Sequence, residues 1–166
     1  MIKLRSLSGK TIAVMGLGRS GLTTAHALTL GGATVLAWDD NESGRAEAAK
    51  DGVATTELTK AAWSGIDALI LSPGIPHTHP APHPVAKQAR DAGVEIIGDI
   101  ELLGREQREA RFIGITGTNG KSTTTALIGH IFETAGTPAQ VGGNLGRPAL
   151  DLEPLGAQRS EERRVG

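Results

Sequence analysis

The 166-residue sequence contains no cysteine and no tyrosine, and its aromatic residues are two tryptophans and two phenylalanines. Without cysteine, the chain forms neither disulfides nor thiolate metal sites. Its 17 basic and 18 acidic residues nearly balance, which together with the scarcity of aromatic rings argues against a nucleic-acid partner. The sequence has no apolar run near the roughly 20 residues of a membrane span and no signal-peptide pattern before residue 11. We therefore expect a cytoplasmic protein.

Glycine is abundant, with 23 residues, and the first glycine cluster lies between a strand pattern and a helix pattern. The apolar run 11–15 predicts a strand buried on both faces. G-L-G-R-S-G follows at 16–21, then an apolar helix at 22–30 and a second strand at 34–38. Asp39 comes 18 positions after the last glycine of the motif, where an acidic residue normally meets a ribose hydroxyl. This βαβ unit predicts a Rossmann-like nucleotide-binding domain, without indicating which nucleotide.

Two polar turns extend this predicted site. Asp40 and Asn41 follow the second strand, where they are either ligand contacts or helix-capping and turn residues. Ser72, Pro73 and Gly74 follow a further strand predicted at 66–71. The carboxyl ends of parallel strands are where such folds bind ligands, although a plain Pro-Gly turn is the alternative. Between and beyond these turns we predict helices at 45–50 and 85–92, and strands at 53–55 and 94–97.

Three histidines lie among four prolines in the segment 76–84, at His77, His79 and His83. Clustered histidines suggest a metal site, but this run has no carboxylate or cysteine and its prolines stiffen an exposed loop. We therefore predict no metal there. The charged segment 105–111 predicts a helix at the junction between two domains. Asp99 and Glu101 before it are candidate catalytic carboxylates, and a solvated linker helix is the favoured alternative for them.

A second glycine turn, between residues 111 and 130, resembles a phosphate-binding loop. The apolar segment 112–115 predicts a short buried strand, and Gly117 and Gly120 bracket a turn that leads into a helix beginning with Lys121 and Ser122. In such loops, backbone amides surround a polyphosphate, the lysine reaches its terminal phosphates, and the hydroxyl contacts magnesium. Ile115 occupies the position where the standard pattern has glycine, so this is a variant loop. An ordinary glycine-rich turn with a solvated lysine is the alternative.

After the helix, a stop at 136–138 and a predicted strand at 139–141 lead to a glycine-rich turn at 142–146. Asn144 in this turn is a candidate contact to a phosphate or to metal-bound water. The alternative is a turn residue in the left-handed conformation.

Five sequence blocks in fixed order resemble the N-terminal part of the Mur ligase family, over roughly residues 8–152. The blocks are G-L-G-R-S-G at 16–21, L-S-P-G-I at 71–75, G-D-I-E-L at 98–102, T-G-T-N-G-K-S-T at 116–123 and G-G-N-L-G at 142–146. The fourth block is shared with folylpolyglutamate ligases. The second and third blocks, with the first, are similar to the branch of the family that adds D-glutamate.

The resemblance implies an ATP-dependent, Mg²⁺-requiring ligase that adds D-glutamate to UDP-N-acetylmuramoyl-L-alanine through an acyl phosphate, in peptidoglycan synthesis. The residues implied in UDP-substrate binding are Arg19, Ser20, Asp39, Asp40, Asn41, Ser72, Pro73, Gly74 and Asn144. The residues implied in binding the ATP phosphates are Gly117, Thr118, Asn119, Gly120, Lys121, Ser122 and Thr123. Among these, Lys121 is the candidate catalytic residue and Ser122 the candidate Mg²⁺ contact. The implied partners are these small molecules, and we expect a monomer.

The predicted architecture is α/β, with a Rossmann-like parallel-sheet domain at 1–104 and the start of a P-loop ATPase-type central domain at 105–152. Residues 153–166 depart from the family pattern, and we interpret them as a disordered or artefactual tail. Because family members continue through the central domain and a third domain, we expect this chain alone to be inactive. Two other functions remain open. An NAD(P)-dependent oxidoreductase would explain residues 16–39 but not Lys121, and a nucleotide-binding module would lack catalysis.

Overall fold

The computed structural model describes residues 1–143 and 146–154. Its centre is a four-stranded parallel sheet with the strand order β2-β1-β3-β4. The strands are β1 (Thr11–Met15), β2 (Thr34–Trp38), β3 (Ala68–Leu71) and β4 (Glu95–Ile97). The helices are α1 (Arg19–Gly31), α2 (Glu42–Lys50), α3 (Pro84–Asp91), α4 (Asp99–Glu106) and α5 (Lys121–Thr134). The predicted α/β class and Rossmann-like first domain are confirmed.

The central strand β1 buries both of its faces, as its continuous apolar run predicted. Ile12 and Val14 pack on one face with the apolar side of α1. Ala13 and Met15 pack on the other face with α3. Because α1 and α3 lie on opposite faces, the chain switches sides between β1 and β3. The carboxyl end of β1 therefore opens into a crevice between the beginnings of the two helices.

The first part of the phosphate-loop prediction is wrong, because residues 112–115 do not form a buried strand. Residues 111–117 follow an irregular path, and the side chains of Phe112 and Ile113 are 54% and 59% exposed. A parallel strand requires a neighbour to satisfy its backbone groups and to cover its side chains. The described part of the chain supplies no such neighbour for this segment. The same reasoning applies to the predicted strand at 139–141, which is also irregular.

Other departures from the predicted elements are small. The helix predicted at 105–111 instead forms at Asp99–Glu106, so it begins directly after β4. The predicted domain boundary at residue 104 therefore falls inside α4. Residues 53–55 contribute one isolated bridge, from Thr55 to Ala37 of β2, rather than a strand. Among the described residues, no helix is both long enough and apolar enough to cross a membrane.

A short 3-10 turn at Ala149–Asp151 packs into the core of the first domain. The side chain of Leu150 is 1% exposed, and its carbonyl oxygen accepts a hydrogen bond of 2.8 Å from the backbone N–H of Ile2. This turn contacts both α1 and α4. The chain that follows α5 thus returns to the first domain. Of the predicted tail 153–166, residues 155–166 lie outside the described part of the chain.

Candidate nucleotide-binding site

The loop after β1 is shaped by its glycines. Gly16 has a φ of +90°, a left-handed conformation that favours glycine. Gly21 lies in the first turns of α1, where an added Cβ would stand 1.8 Å from the Gly16 carbonyl oxygen. The missing side chain therefore lets α1 approach the loop closely. Within the described residues, no side chain caps α1 at Gly18, so its first backbone N–H groups point to the crevice and suit an anion.

Asp39 holds two loops of the crevice together. Its carboxylate accepts a hydrogen bond of 2.6 Å from the backbone N–H of Leu17 and one of 2.8 Å from that of Asn41. Gly44 allows this arrangement, because a Cβ there would lie 2.8 Å from the Asp39 carboxyl carbon. The carboxylate predicted to meet a ribose thus also fixes the glycine loop relative to the end of β2. Its contact with a ligand stays a prediction.

Asp40 and Asn41 have different surroundings. Asn41 is the N-cap residue of α2, but its side chain makes no capping hydrogen bond, and its carbonyl oxygen accepts the first helical hydrogen bond from the N–H of Arg45. The Oδ2 of Asp40 lies 2.8 Å from Nε2 of His83, the residue before α3. Arg45 supports this turn, since its guanidinium donates to the carbonyl oxygens of Asp39 and Asp40 and stacks over the ring of Trp38 at 4.6 Å.

Ser72 connects the end of β3 to the glycine loop. Its hydroxyl donates a hydrogen bond of 2.6 Å to the Gly16 carbonyl oxygen. Pro73 and Gly74 are exposed beside it, and Gly74 has a φ of +97°. An open cleft of about 750 Å³ begins at this turn and continues along the ends of β3 and β4 to Asp99. The structure therefore brings Ser72 next to the glycine loop, and the contact of residues 72–74 with a ligand stays a prediction.

Arg19 and Ser20 occupy the first turn of α1. The Arg19 side chain is exposed, and its guanidinium donates to the backbone carbonyl of Gly146. This contact places Gly146, which follows α5 in the chain, beside the beginning of α1. Asn144, which we predicted to contact the ligand from the turn at 142–146, lies outside the described residues.

The predicted phosphate loop forms its turn without its strand. Gly117 and Gly120 have φ values of +148° and +76°, and Gly120 is the N-cap residue of α5. The Lys121 ammonium folds over the loop, where it donates to the carbonyl oxygens of Gly117 and, at 3.3 Å, of Thr118. Every residue from 116 to 124 is exposed. The lysine, the hydroxyl of Ser122 and the loop amides thus share one open surface.

The two candidate carboxylates of α4, Asp99 and Glu101, have different surroundings. Glu101 and Glu95 both bind the guanidinium of Arg105. The hydrogen bond donated by Arg105 lowers the pKa of Glu95, and the bonds that Arg105 donates to Glu95 and then to Glu101 raise its own pKa. Asp99 is buried, and its Oδ1 accepts from the backbone N–H of Ile100. The favoured expectation of a solvated helix therefore describes Glu101 but not Asp99.

The sequence analysis missed the role of His83, which it treated only as one of three loop histidines. His83 is the N-cap residue of α3, and its Nδ1 accepts a hydrogen bond of 3.3 Å from the backbone N–H of Val85. A polar residue followed by proline and an apolar periodic segment is a helix-start signal, so the cap was predictable. Among the described residues, no group of three or more histidines and carboxylates is placed to hold a metal ion.

Comparison with known proteins identifies the family. The model of the Mur ligase MurD-like N-terminal domain matches residues 10–98, which include all four strands and the glycine loop. The chain belongs to the MurD-like Mur ligases. This match confirms the family resemblance, and it contains the blocks at 16–21 and 71–75. The crevice at the end of β1 is the central feature of this MurD-like domain.

Relatives of this MurD-like chain are similar well beyond the matched domain. The UDP-N-acetylmuramoylalanine–D-glutamate ligase of Bradyrhizobium diazoefficiens is 55% identical over 158 residues, covering 93% of this chain and 34% of its own length. The ligase of the same name from Rhizobium meliloti is 54% identical over 163 residues, covering 96% and 35%. That of Agrobacterium fabrum is 52% identical over 163 residues, with the same coverage. The chain thus spans about a third of the length of these curated relatives.

Proposed function

We propose that this chain is the N-terminal part of an ATP-dependent ligase that adds D-glutamate to UDP-N-acetylmuramoyl-L-alanine in peptidoglycan synthesis. The observation that carries the proposal is the identity of 52–55% to ligases of that name over more than nine-tenths of the chain. This similarity extends over both glycine turns. An NAD(P)-dependent oxidoreductase would need only the first of them, and would give no task to Lys121.

In this proposal the crevice at the end of β1 binds the UDP group of the substrate. The uncapped first turn of α1, with Arg19 and Ser20, receives the diphosphate, because amide N–H groups and a guanidinium both suit phosphate oxygens. The turn at the end of β2, with Asp39, Asp40 and Asn41, faces the uridine. The exposed turn at 72–74 lies beside the diphosphate. Asn144, which lies outside the described residues, is a further substrate contact in this proposal.

The second glycine turn would bind MgATP. The left-handed glycines at 117 and 120 and the exposed amides of the turn form a surface that fits a polyphosphate. Lys121 would exchange the carbonyl oxygens it now contacts for phosphate oxygens, which are stronger acceptors because they are charged. The Ser122 and Thr123 hydroxyls in the first turn of α5 supply the oxygen ligands that Mg²⁺ prefers. When bound, the ion would offset the negative charge of the phosphates.

The proposed reaction has two steps. The carboxylate of the L-alanyl group attacks the γ-phosphorus of ATP, and ADP leaves as the acyl phosphate forms. The amine of D-glutamate then attacks the acyl carbon, and inorganic phosphate leaves as the amide forms. Lys121 would stabilise the negative charge that develops on the transferring phosphoryl group. Two separate nucleotide surfaces suit this chemistry, because the donor and the acceptor must be positioned together.

Exposed apolar side chains around the phosphate loop support the view that further chain completes the central domain. Leu127 and Ile131 of α5 are exposed, as are Phe112 and Ile113 before the loop. A helix with an apolar side of this kind normally packs against a sheet or another helix. In the proposal, the remaining two-thirds of the protein cover these residues. The whole enzyme would act as a cytoplasmic monomer on small-molecule substrates.

The test is a coupled ADP-release assay on the chain extended to the full length of its relatives. We expect turnover that requires both UDP-N-acetylmuramoyl-L-alanine and D-glutamate, and that is lost in a Lys121→Ala variant. Because the residues named here account for only part of an active site, we expect the 166-residue chain alone to show none. Turnover that does not depend on D-glutamate would refute the proposed substrate. Tighter binding of NADH than of UDP would favour the oxidoreductase instead.

A further inference from the structure

We propose that His83 is a positioning residue, which holds the Asp40 carboxylate in place for the nucleoside end of the substrate. This inference rests on the proposed function, because it assumes that the crevice binds a uridine diphosphate group. It concerns a residue from the loop after β3 that acts on the turn after β2. The two meet across the mouth of the crevice.

The position of the contact makes it part of the crevice. In the sheet, β1 lies between β2 and β3. Asp40 follows β2, while His83 is the N-cap residue of α3, the helix after β3. Their contact, with 2.8 Å between Nε2 and Oδ2, therefore reaches over the carboxyl end of β1. The opposite wall is the glycine loop and the first turn of α1.

The hydrogen bonds of His83 fix both its orientation and its tautomer. Its Nδ1 accepts from the backbone N–H of Val85, so the ring proton is on Nε2 and points to Asp40. Its own backbone N–H donates to the carbonyl oxygen of Pro76 at 2.8 Å, which closes the proline-rich loop. The His83 side chain is only 13% exposed. The imidazole is thus held in one orientation, with its Nε2–H directed at the Asp40 carboxylate.

Asp40, in contrast, is available to a ligand. Its side chain is 58% exposed, and only Oδ2 faces the histidine. The neighbouring Asp39 directs its two carboxylate oxygens at the backbone amides of Leu17 and Asn41. Asp40 is therefore the carboxylate at the end of β2 that keeps an oxygen directed at solvent. Immobilising it before binding removes part of the entropy that a ligand would otherwise lose by ordering it.

The experiment measures UDP affinity by isothermal titration for the chain and its His83→Asn variant. Asparagine is a good N-cap residue, so this change keeps the cap on α3 but removes the donor to Asp40. We expect UDP to bind about fivefold more weakly, as befits the ordering of one side chain. His130, an exposed residue of α5, provides the matched control, and His130→Asn should bind UDP like the unmodified chain.

The second arm places His83→Asn in an Asp40→Ala background. If His83 acts through the Asp40 carboxylate, the histidine change should have no further effect there, since coupled residues are not additive. An equal loss in both backgrounds would assign His83 to loop structure alone and overturn the inference. Unchanged UDP affinity in the His83→Asn single variant would also overturn the inference. If the unmodified chain itself does not bind UDP, the proposed function fails and the inference falls with it.

Discussion

Replacing Gly21 with alanine tests how the nucleotide crevice is built. The added Cβ would lie 1.8 Å from the Gly16 carbonyl oxygen and 2.6 Å from the Ser72 hydroxyl oxygen. Real Cβ atoms essentially never approach other heavy atoms within 3.0 Å. Either α1 must move away from the glycine loop or the loop must shift, and the hydrogen bond between Ser72 and Gly16 is then lost. The proposed diphosphate site lies at this contact.

The expected cost can be worked from these contacts. Alanine is favoured over glycine within a helix by about 1 kcal/mol. Overpacking costs about 1–3 kcal/mol, and the upper end applies because the obstructing atom belongs to the backbone. The lost hydrogen bond adds about 1 kcal/mol. The free energy of unfolding should thus fall by about 3 kcal/mol. For a domain of about 100 residues, such as the first domain, this loss lowers Tm by more than about 10 °C.

Thermal and urea unfolding followed by circular dichroism measure the effect. Gly104 provides the matched control, because it lies inside α4 with nothing within 4 Å of an added Cβ. Gly104→Ala should leave stability unchanged or raise it by up to about 1 kcal/mol. If Gly21→Ala unfolds at the same temperature as Gly104→Ala, the close approach of α1 to the glycine loop is refuted.

Three further predictions concern other parts of the chain. Lys121→Ala should weaken binding of a fluorescent ATP analogue by about 10- to 100-fold with unchanged Tm, as befits a lost charged hydrogen bond; equal binding would contradict the phosphate loop. Leu150→Ala should lower the free energy of unfolding in urea by about 2–4 kcal/mol, because it leaves a cavity at a buried position. Unchanged stability would show that the turn at 149–151 does not pack into the core. Because Arg105 lowers the pKa of Glu95, that carboxylate stabilises the fold above its unfolded pKa and loses this effect as pH falls through the lowered value. Glu95→Gln should remove this pH-dependent contribution to the free energy of unfolding, which is at most about 0.5 kcal/mol for an exposed pair. Urea midpoints at pH 7 and pH 3 measure it, and an equal loss of stability at low pH in the variant would show that the ion pair does not stabilise the fold.

The strands of the sheet and the helices between them were predictable, because residues close together in the sequence determine each of them. The strands at Thr11–Met15 and Thr34–Trp38 have the predicted bounds, and those at Ala68–Leu71 and Glu95–Ile97 begin one or two residues later than predicted. Apolar runs between glycine turns determine such strands, since both faces are covered. The neighbouring helices then follow from the connections that parallel strands require. The glycine loop was predictable for the same reason.

The second glycine turn shows the limit of local patterns. Residues 112–115 have the composition of a buried strand, but strand formation depends on partners elsewhere in a chain. The turn and α5 depend on nearby residues alone, and both form as predicted. Local sequence patterns did not predict contacts between residues that are far apart in the chain. The Asp40 contact with His83, 43 positions apart, is one example, and the docking of Leu150 beside Ile2 is another.

The central claim is that the chain has two separate nucleotide surfaces, one for a uridine diphosphate group and one for MgATP. Titration of the ¹⁵N-labelled chain with each ligand, followed by amide NMR spectra, tests it most directly. We predict that UDP shifts the amides of residues 16–21, 39–41, 72 and 74, and that MgATP shifts those of residues 117–123. If both ligands shift the same amides, or if UDP leaves the first set unchanged, the claim is contradicted.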